Sequence, residues 1–230
     1  MPFLAELNYN EKASKMYLSD AFSSVVVKDI ARRNNIRDID LLERIIVFVM
    51  SNMGCTFSAS SLSRYFKVEH RKVSVDTILN YLKFSMEAFL FYQVKREDLV
   101  GKEVLTSNEK YYIADHGLRE SVWGRNNESI ELVLENIVLM ELFRRGHDVH
   151  VGKVGGEEMD FVANRQNEKI YVQVSYLLAS ESTIEREFGV YNLVRDNWPK
   201  YVVSMDELDM SRDGIKHMNI MNFLLACDRT

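Results

Sequence analysis

The sequence is poor in residues that cross-link or interrupt a chain, since its 230 residues include two cysteines and two prolines. Cys55 and Cys227 are too few for a disulfide framework or a cysteine-based metal site, so we expect a reducing, cytoplasmic compartment. Pro2 and Pro199 leave long helices free to form over most of the chain. No apolar run approaches the ~18–20 residues of a transmembrane helix, and the first residues lack the features of a secretory signal. We therefore expect no membrane partner.

An excess of positive charge is also missing. The 29 lysines and arginines are outnumbered by 34 aspartates and glutamates, for a formal net charge of −5. Residues 1–118 hold 16 basic and 15 acidic side chains, which leaves 13 and 19 for residues 119–230. Neither half has the strong positive field of a tight nucleic-acid binder. This charge balance counts against a function that depends on tight binding of nucleic acid, such as DNA cleavage.

Two nucleotide and hydrolase motifs are absent as well. The sequence contains no phosphate loop of the GxxxxGK[ST] type and no Ser-His-Asp order. We therefore expect no ATP hydrolysis by this chain alone.

The first half of the sequence has the pattern of a helical lead followed by a winged helix-turn-helix. Apolar residues at helical spacing predict helices over residues 12–36 and 40–53, and Gly54 is placed to end the second. Ser58 and Ser74 are suited to cap two further helices. Apolar runs at residues 90–94 and 110–113 then predict two strands. This order is typical of a winged helix-turn-helix.

The helix that begins after Ser74 is the candidate DNA-reading element. Its outward polar residues would include Thr77, Asn80 and Lys83, which we predict to contact double-stranded DNA. The same face carries two acids, Asp76 and Glu87, which makes it a poor surface for phosphate. The alternative is that this domain packs against a protein partner.

The second half predicts an α/β core with a mixed sheet. Residues 128–145 form a strongly amphipathic helix ended by Gly146. Strand-like runs follow at 147–154, 159–163 and 170–174, then a helix over 181–194, a strand at 200–204, and a short strand or helix near 220–225. Helix, three strands, helix and strand is the order of the restriction-endonuclease-like core, so we expect an α/β (α+β) fold class overall.

The stretch from Gly155 to Tyr176 resembles the metal-binding hairpin of that fold, in which Asp is followed by (Asp/Glu)-x-Lys. Asp160 occupies the first position, but Gln173 and Ser175 stand where a carboxylate and a lysine are expected. Metal-dependent hydrolysis needs carboxylates around a divalent cation such as Mg²⁺. The candidate remnant site comprises Glu135, Asp160, Gln173 and, as a migrated lysine, Lys200. The metal ligands would be Glu135 and Asp160.

A different interpretation of these residues is purely structural. Asp160 and Gln173 would then form a hydrogen-bonded buried pair, and Glu135 would be an ordinary helix acid. The missing carboxylate and lysine favour an inactive core.

Several strings together resemble the C-terminal region of prokaryotic ATPases of the AAA superfamily. The resemblance covers nearly the whole chain and rests on Ser74-x-x-Thr77-Ile78, Lys110-Tyr111-Tyr112-x-x-Asp115-x-Gly117-Leu118-Arg119, Leu134-Glu135-Asn136, Glu158-x-Asp160-Phe161, Tyr171-x-Gln173-Val174, Glu185-Arg186-Glu187 and Lys200-Tyr201. In that family an ATPase domain precedes a winged helix and an endonuclease-like domain of undefined function. The resemblance implies a helical lead at 1–42, a winged helix-turn-helix at 43–118 and an endonuclease-like domain at 119–230. Residues 1–3 resemble the boundary between the ATPase region and the C-terminal region of that family.

Three functions remain open at this point. The first is an accessory region of an ATPase with an inactive nuclease-like core and DNA contact. The second is a non-catalytic module that binds an ATPase domain, another protein or itself. The third is a surviving Mg²⁺-dependent nuclease. The sequence leaves the oligomeric state open.

Overall fold

The computed structural model describes residues 6, 8, 10–101, 103–124 and 130–226, with backbone alone for 103–108. Contacts divide the chain into two compact units. Unit 1 comprises Met1–Gln93 and Lys110–Asn126, and unit 2 comprises Val94–Glu109 and Asn127–Thr230. In the described part of the chain, no helix has both the length and the apolar character needed to cross a membrane.

Unit 1 is largely helical, as its sequence pattern predicts. Most of its helices begin at a side chain that accepts a backbone N–H: Ser58 accepts from Ser61 and Ser74 from Thr77, so both predicted caps are confirmed. The helices are α1 (Glu11–Ser24), which continues as a π-helix (Val25–Ala31), α2 (Ile39–Ser51), α3 (Ala59–Val68), α4 (Val75–Glu87) and α5 (His116–Trp123).

Helix α5 was not predicted from the sequence. It contains the last residues of the string Lys110-Tyr111-Tyr112-x-x-Asp115-x-Gly117-Leu118-Arg119, on which the ATPase resemblance partly rests. Asp115 caps it by accepting the N–H groups of Gly117 and Leu118. A Cβ on Gly117 would lie 2.9 Å from Asp115 Oδ1 and 3.0 Å from Leu18 Cδ1, so a larger residue would force these side chains to shift where α5 packs on α1. Arg119 is buried and its Nε donates to the carbonyl of Met50 at 3.0 Å. This part of the string builds the core of unit 1.

The remaining elements occur in the predicted order. The predicted helix over 181–194 is shorter than expected, because the chain changes from α-helix to a 3₁₀ turn after Gly189. The elements are β1 (Phe91–Asp98), β2 (Glu103–Ile113), α6 (Ile130–Arg144), β3 (Asp148–Val154), β4 (Glu157–Arg165), β5 (Glu168–Val174), α7 (Glu181–Gly189), the 3₁₀ turn (Val190–Leu193), β6 (Lys200–Ser204), β7 (Lys216–Asn219) and α8 (Ile220–Leu225).

The strands form one seven-stranded mixed sheet in the order β2-β1-β3-β4-β5-β6-β7. Strands β3, β4 and β5 are antiparallel neighbours, whereas β1 pairs with β3, β5 with β6 and β6 with β7 in parallel. The α/β class and the mixed sheet are therefore confirmed. The sheet is larger than predicted, because β1 continues to Asp98 and its last residues pair with β3.

Both faces of the central strands are covered. Successive strand residues point to opposite faces, and Tyr171 with Val172, like Val202 with Val203, are buried in consecutive positions. Helix α6 packs against β3, β4 and β5. A cluster around Tyr171 and Val202 joins the sheet to α7 and the 3₁₀ turn through Ile184, Phe188 and Tyr191.

Candidate functional site

The predicted metal hairpin lies where the pairing of β4 changes register. Between the pairs His150–Val162 and Gly152–Met159, β3 has one residue and β4 has two, Asp160 and Phe161. Such a β-bulge re-aims side chains and is common beside functional sites. Here it places Asp160 opposite Gln173 at the end of the β4–β5 ladder, one position beyond the pair Phe161–Val172.

Asp160 and Gln173 are brought together, and both serve the backbone. The side-chain oxygen of Gln173 accepts the N–H of Asp160 at 3.1 Å. In return, Asp160 Oδ2 accepts the N–H of Val174 at 2.8 Å. These two bonds extend the strand pair beyond its last backbone pairs. Gln173 is only 9% exposed, so its amide oxygen is committed in a nearly dry environment.

A group that the sequence analysis missed lies beside this pair. Arg186 donates from Nε (2.8 Å) and Nη2 (2.5 Å) to Glu187 Oε1, and its Nη2 lies 3.7 Å from Glu131 Oε1. Bonding to the carboxylate of Glu187, together with the charges of Glu187, Glu131 and Asp160, raises the pKa of the Arg186 guanidinium. Arg186, an arginine on α7, is thus close enough to Asp160 for their charges to interact.

Glu187 is the buried acid of this group. It is 2% exposed, and its second oxygen, Oε2, has no hydrogen-bond partner among the described residues. Ser175, at the position where the sequence resemblance predicts a lysine, is also buried, and its hydroxyl donates to Glu131 at 3.4 Å. The string Glu185-Arg186-Glu187 was visible in the sequence, but its spacing did not identify it as part of a site.

Tyr191 is a further buried residue whose pKa is affected by the charge of Asp160. Its hydroxyl donates to the carbonyl of Tyr201 at 2.5 Å. Burial raises the pKa of Tyr191 well above its usual range, and the charges of Asp160 and Glu187 add to that effect. Tyr191 is therefore neutral and holds β6 in place, which makes it unsuited to act as a base.

Lys200 lies elsewhere on unit 2. It pairs with Tyr171 in the β5–β6 register, whereas Gln173 pairs with Val202, which is two residues or roughly 7 Å further along the strand. The Lys200 ammonium donates to the carbonyl of Asp196 at 2.6 Å and to that of Trp198 at 3.3 Å. The contacts of Lys200 are therefore with the loop before β6.

The residues do not fit a divalent cation well. Glu135 is buried on α6, at 6% exposure. Within the ranges that the structure describes, no three or more His, Cys, Asp or Glu side chains lie close enough together to hold a metal ion. Mg²⁺ takes about six oxygen ligands, of which one or two are usually carboxylates, and Gln173 adds no charge. Metal binding by Glu135 and Asp160 stays a prediction.

The exposed face of α4 is mixed, because two apolar residues lie among four polar or charged ones. Thr77 is half-buried and its hydroxyl is bonded to that of Ser74 at 2.8 Å. Asn80 is exposed, and Lys83 Nζ lies 3.8 Å from Glu87 on the next turn. Val75 and Leu79 are also exposed, at 37% and 46%. DNA contact by Thr77, Asn80 and Lys83 stays a prediction.

Two longer proteins are similar to this chain. An uncharacterized protein of Haemophilus influenzae is 36% identical over 217 residues, which cover 94% of this chain and 54% of that protein. Uncharacterized protein MJ1544 of Methanocaldococcus jannaschii is 27% identical over 189 residues, covering 79% and 41%. The chain thus spans about half the length of these curated relatives.

A solved structure is similar at a lower level. Protein VC1899 from Vibrio cholerae matches 92% of this chain and 53% of its own length, with 12% identity and a TM-score of 0.26. That score is too low to support a conclusion about fold.

A family model matches more than half of the chain, over residues 1–129, which include all the helices of unit 1 and the strands β1 and β2. The chain belongs to the family described as Domain of unknown function (DUF8612).

Proposed function

We propose that this chain is a non-catalytic accessory region of a longer prokaryotic ATPase, built on a winged helix-turn-helix and a restriction-endonuclease-like core that no longer cleaves DNA. The ATPase connection is supported by the sequence resemblance and by relatives about twice as long. The endonuclease-like core is supported by the order of α6, β3, β4, β5, α7 and β6.

The observation that carries the loss of catalysis is the bonding of Asp160 and Gln173. A metal-activating carboxylate has to present its oxygens to a cation, whereas Asp160 Oδ2 accepts the Val174 N–H and the amide oxygen of Gln173 accepts the Asp160 N–H, so each of these two oxygens already serves the backbone. Arg186 supplies one positive charge to a group that includes Glu131, Asp160 and Glu187. In this proposal, Asp160 and Gln173 of the hairpin stabilise the pairing of β4 with β5 and have no catalytic role.

A cleavage assay tests this proposal. Supercoiled plasmid is incubated with the purified chain and Mg²⁺ or Mn²⁺, and no nicking is expected. The paired substitution Gln173→Glu and Ser175→Lys restores the Glu-x-Lys pattern and is the matched gain-of-function control. Nicking by the unmodified chain that Asp160→Ala abolishes would overturn the proposal in favour of a surviving nuclease.

We propose further that the accessory region acts by binding protein and not by reading DNA. The α4 face supports this view, because its exposed Val75 and Leu79 suit a protein surface while its lysine is paired with Glu87. Fluorescence anisotropy with a duplex of about 20 base pairs at low salt provides the test. Binding that weakens steeply with salt and with Lys83→Ala would contradict it.

A further inference from the structure

Unit 1 carries a groove whose lining includes neither Asp160 nor Gln173. It has a volume of about 370 Å³ and lies between α2, α3 and the end of α5. Its lining includes Glu43, Arg44, Val47 and Phe48 from α2, Tyr65 from α3 and Trp123 from α5. We define this surface as the α2–α3 groove.

The groove follows a second stripe along α2. The first stripe of this helix, represented by Leu42, Ile45 and Val49, is buried in the core. The second stripe runs from Asp40 to Ser51 with helical spacing, which corresponds to roughly 16 Å at about 1.5 Å per residue. That length matches about three turns of a docked helix.

Aromatic side chains form the walls. The rings of Phe48 and Tyr65 are 6.4 Å apart and tilted by 37°. Tyr65 is 51% exposed and Trp123 is 49% exposed, so both present ring surface to solvent. Large amphipathic side chains of this kind are enriched at the centres of protein interfaces.

The charges of the groove select the sign of its occupant. Arg44 lines the groove but is already paired with Glu69, and its guanidinium lies 5.3 Å from the centre of the Phe66 ring. Asp40 is paired with Arg71. Glu43 is half-buried and has no charged or hydrogen-bonding partner among the described residues. The uncompensated charge of the groove is therefore negative.

We infer that the α2–α3 groove docks an amphipathic helix of a partner protein, with apolar residues at i, i+3 or i+4 and i+7 and a lysine or arginine that pairs with Glu43. This inference rests on the proposed function only in treating the chain as a binding region. The nuclease assays leave it untouched, so the two can fail separately.

A peptide panel tests the inference. Helical peptides of about 16 residues carry Leu, Phe or Trp at the apolar positions and Lys, Arg or Glu at the position facing Glu43. Binding is measured through the emission of Trp123 in a Trp198→Phe background, since the chain has two tryptophans. We expect basic members to bind and to shift Trp123 emission to the blue, with acidic members at least about tenfold weaker.

Charge reversal supplies the control. Glu43→Lys is expected to reverse the preference toward acidic peptides, whereas Asp20→Lys, at an exposed acid of α1 outside the groove, leaves it unchanged. Equal binding of both charge classes, or no member that moves Trp123 emission, would refute the inference. A concentration-dependent dimer that buries Trp123 would also refute it, in favour of a second copy of the chain.

Discussion

The side-chain oxygen of Gln173 lies 3.1 Å from the backbone nitrogen of Asp160, while the carboxylate of Asp160 lies 2.8 Å from the nitrogen of Val174. The two side chains that a nuclease would aim at a metal thus continue a strand ladder. A buried N–H that loses its acceptor costs about 1–3 kcal/mol, so this arrangement has a measurable consequence for stability.

We expect Asp160→Ala to lower the free energy of unfolding by about 1–3 kcal/mol, because the Val174 N–H loses its acceptor. Asp160→Asn retains a carbonyl oxygen and should cost less. Urea unfolding measures both, and amide exchange at Val174 should accelerate in the alanine variant alone. If Asp160→Ala leaves stability and exchange unchanged, the carboxylate has no such structural role.

Arg186 is expected to matter through Glu187. The side chain of Glu187 is 3% exposed and that of Arg186 is 65% exposed, so solvent screens part of their attraction. Replacing Arg186 with Gln leaves a buried carboxylate without its cation, and we expect a loss of about 1–2 kcal/mol. Arg195→Gln is the control, because Arg195 is exposed and pairs with no acid in the described part of the chain. Equal losses for the two variants would contradict the assignment.

Two helical glycines form a matched pair for testing the packing of α5. A Cβ at Gly117 meets Asp115 Oδ1 and Leu18 within 3.0 Å, whereas a Cβ at Gly189 meets nothing within 4 Å. We expect Gly117→Ala to destabilise unit 1 by about 1–3 kcal/mol through overpacking. Gly189→Ala should be neutral or slightly stabilising, because alanine is the better helix former. Thermal or urea unfolding distinguishes them, and a neutral Gly117→Ala would show that the side chains of Leu18 and Asp115 shift to accommodate the added methyl group.

The pH dependence of stability should report His116. Burial lowers the pKa of His116 from 6.5 to about 4, with Arg119 adding to the shift and Asp115 opposing it. The unfolded chain therefore takes up a proton near pH 6.5 and the native chain only near pH 4. The contribution of His116 is fully present above pH 6.5 and is lost as the pH falls through this window.

We expect the loss attributable to His116 to reach about 1–3 kcal/mol between pH 7 and pH 4.5. His116→Phe should flatten that part of the profile in urea titrations, whereas His70→Asn, at an exposed position, should not. Burial also lowers the pKa of His217, so unit 2 adds a slope of the same sign. An unchanged profile in His116→Phe would show that the pKa of His116 does not differ between the native and the unfolded chain.

The sequence by itself determined the elements and their order. Helical spacing, the serine caps and the apolar strand runs each depend on residues close in the chain, so the confirmed helices and strands of both units follow from local physics. The 3₁₀ turn after Gly189 and helix α5 were missed because both are short, with four and eight residues. The pairing of Asp160 with Gln173 was among the interpretations that the sequence supported.

Only the tertiary structure decided what surrounds that pair. The bulge in β4 and the parallel pairing of β6 set where each side chain lies, and both arise from contacts between distant segments. They bring Arg186 and Glu187 of α7 beside Asp160 and leave Lys200 with the loop before β6. Spacing along the chain carries no information about such contacts, because they depend on how the sheet is assembled and how α7 packs on it.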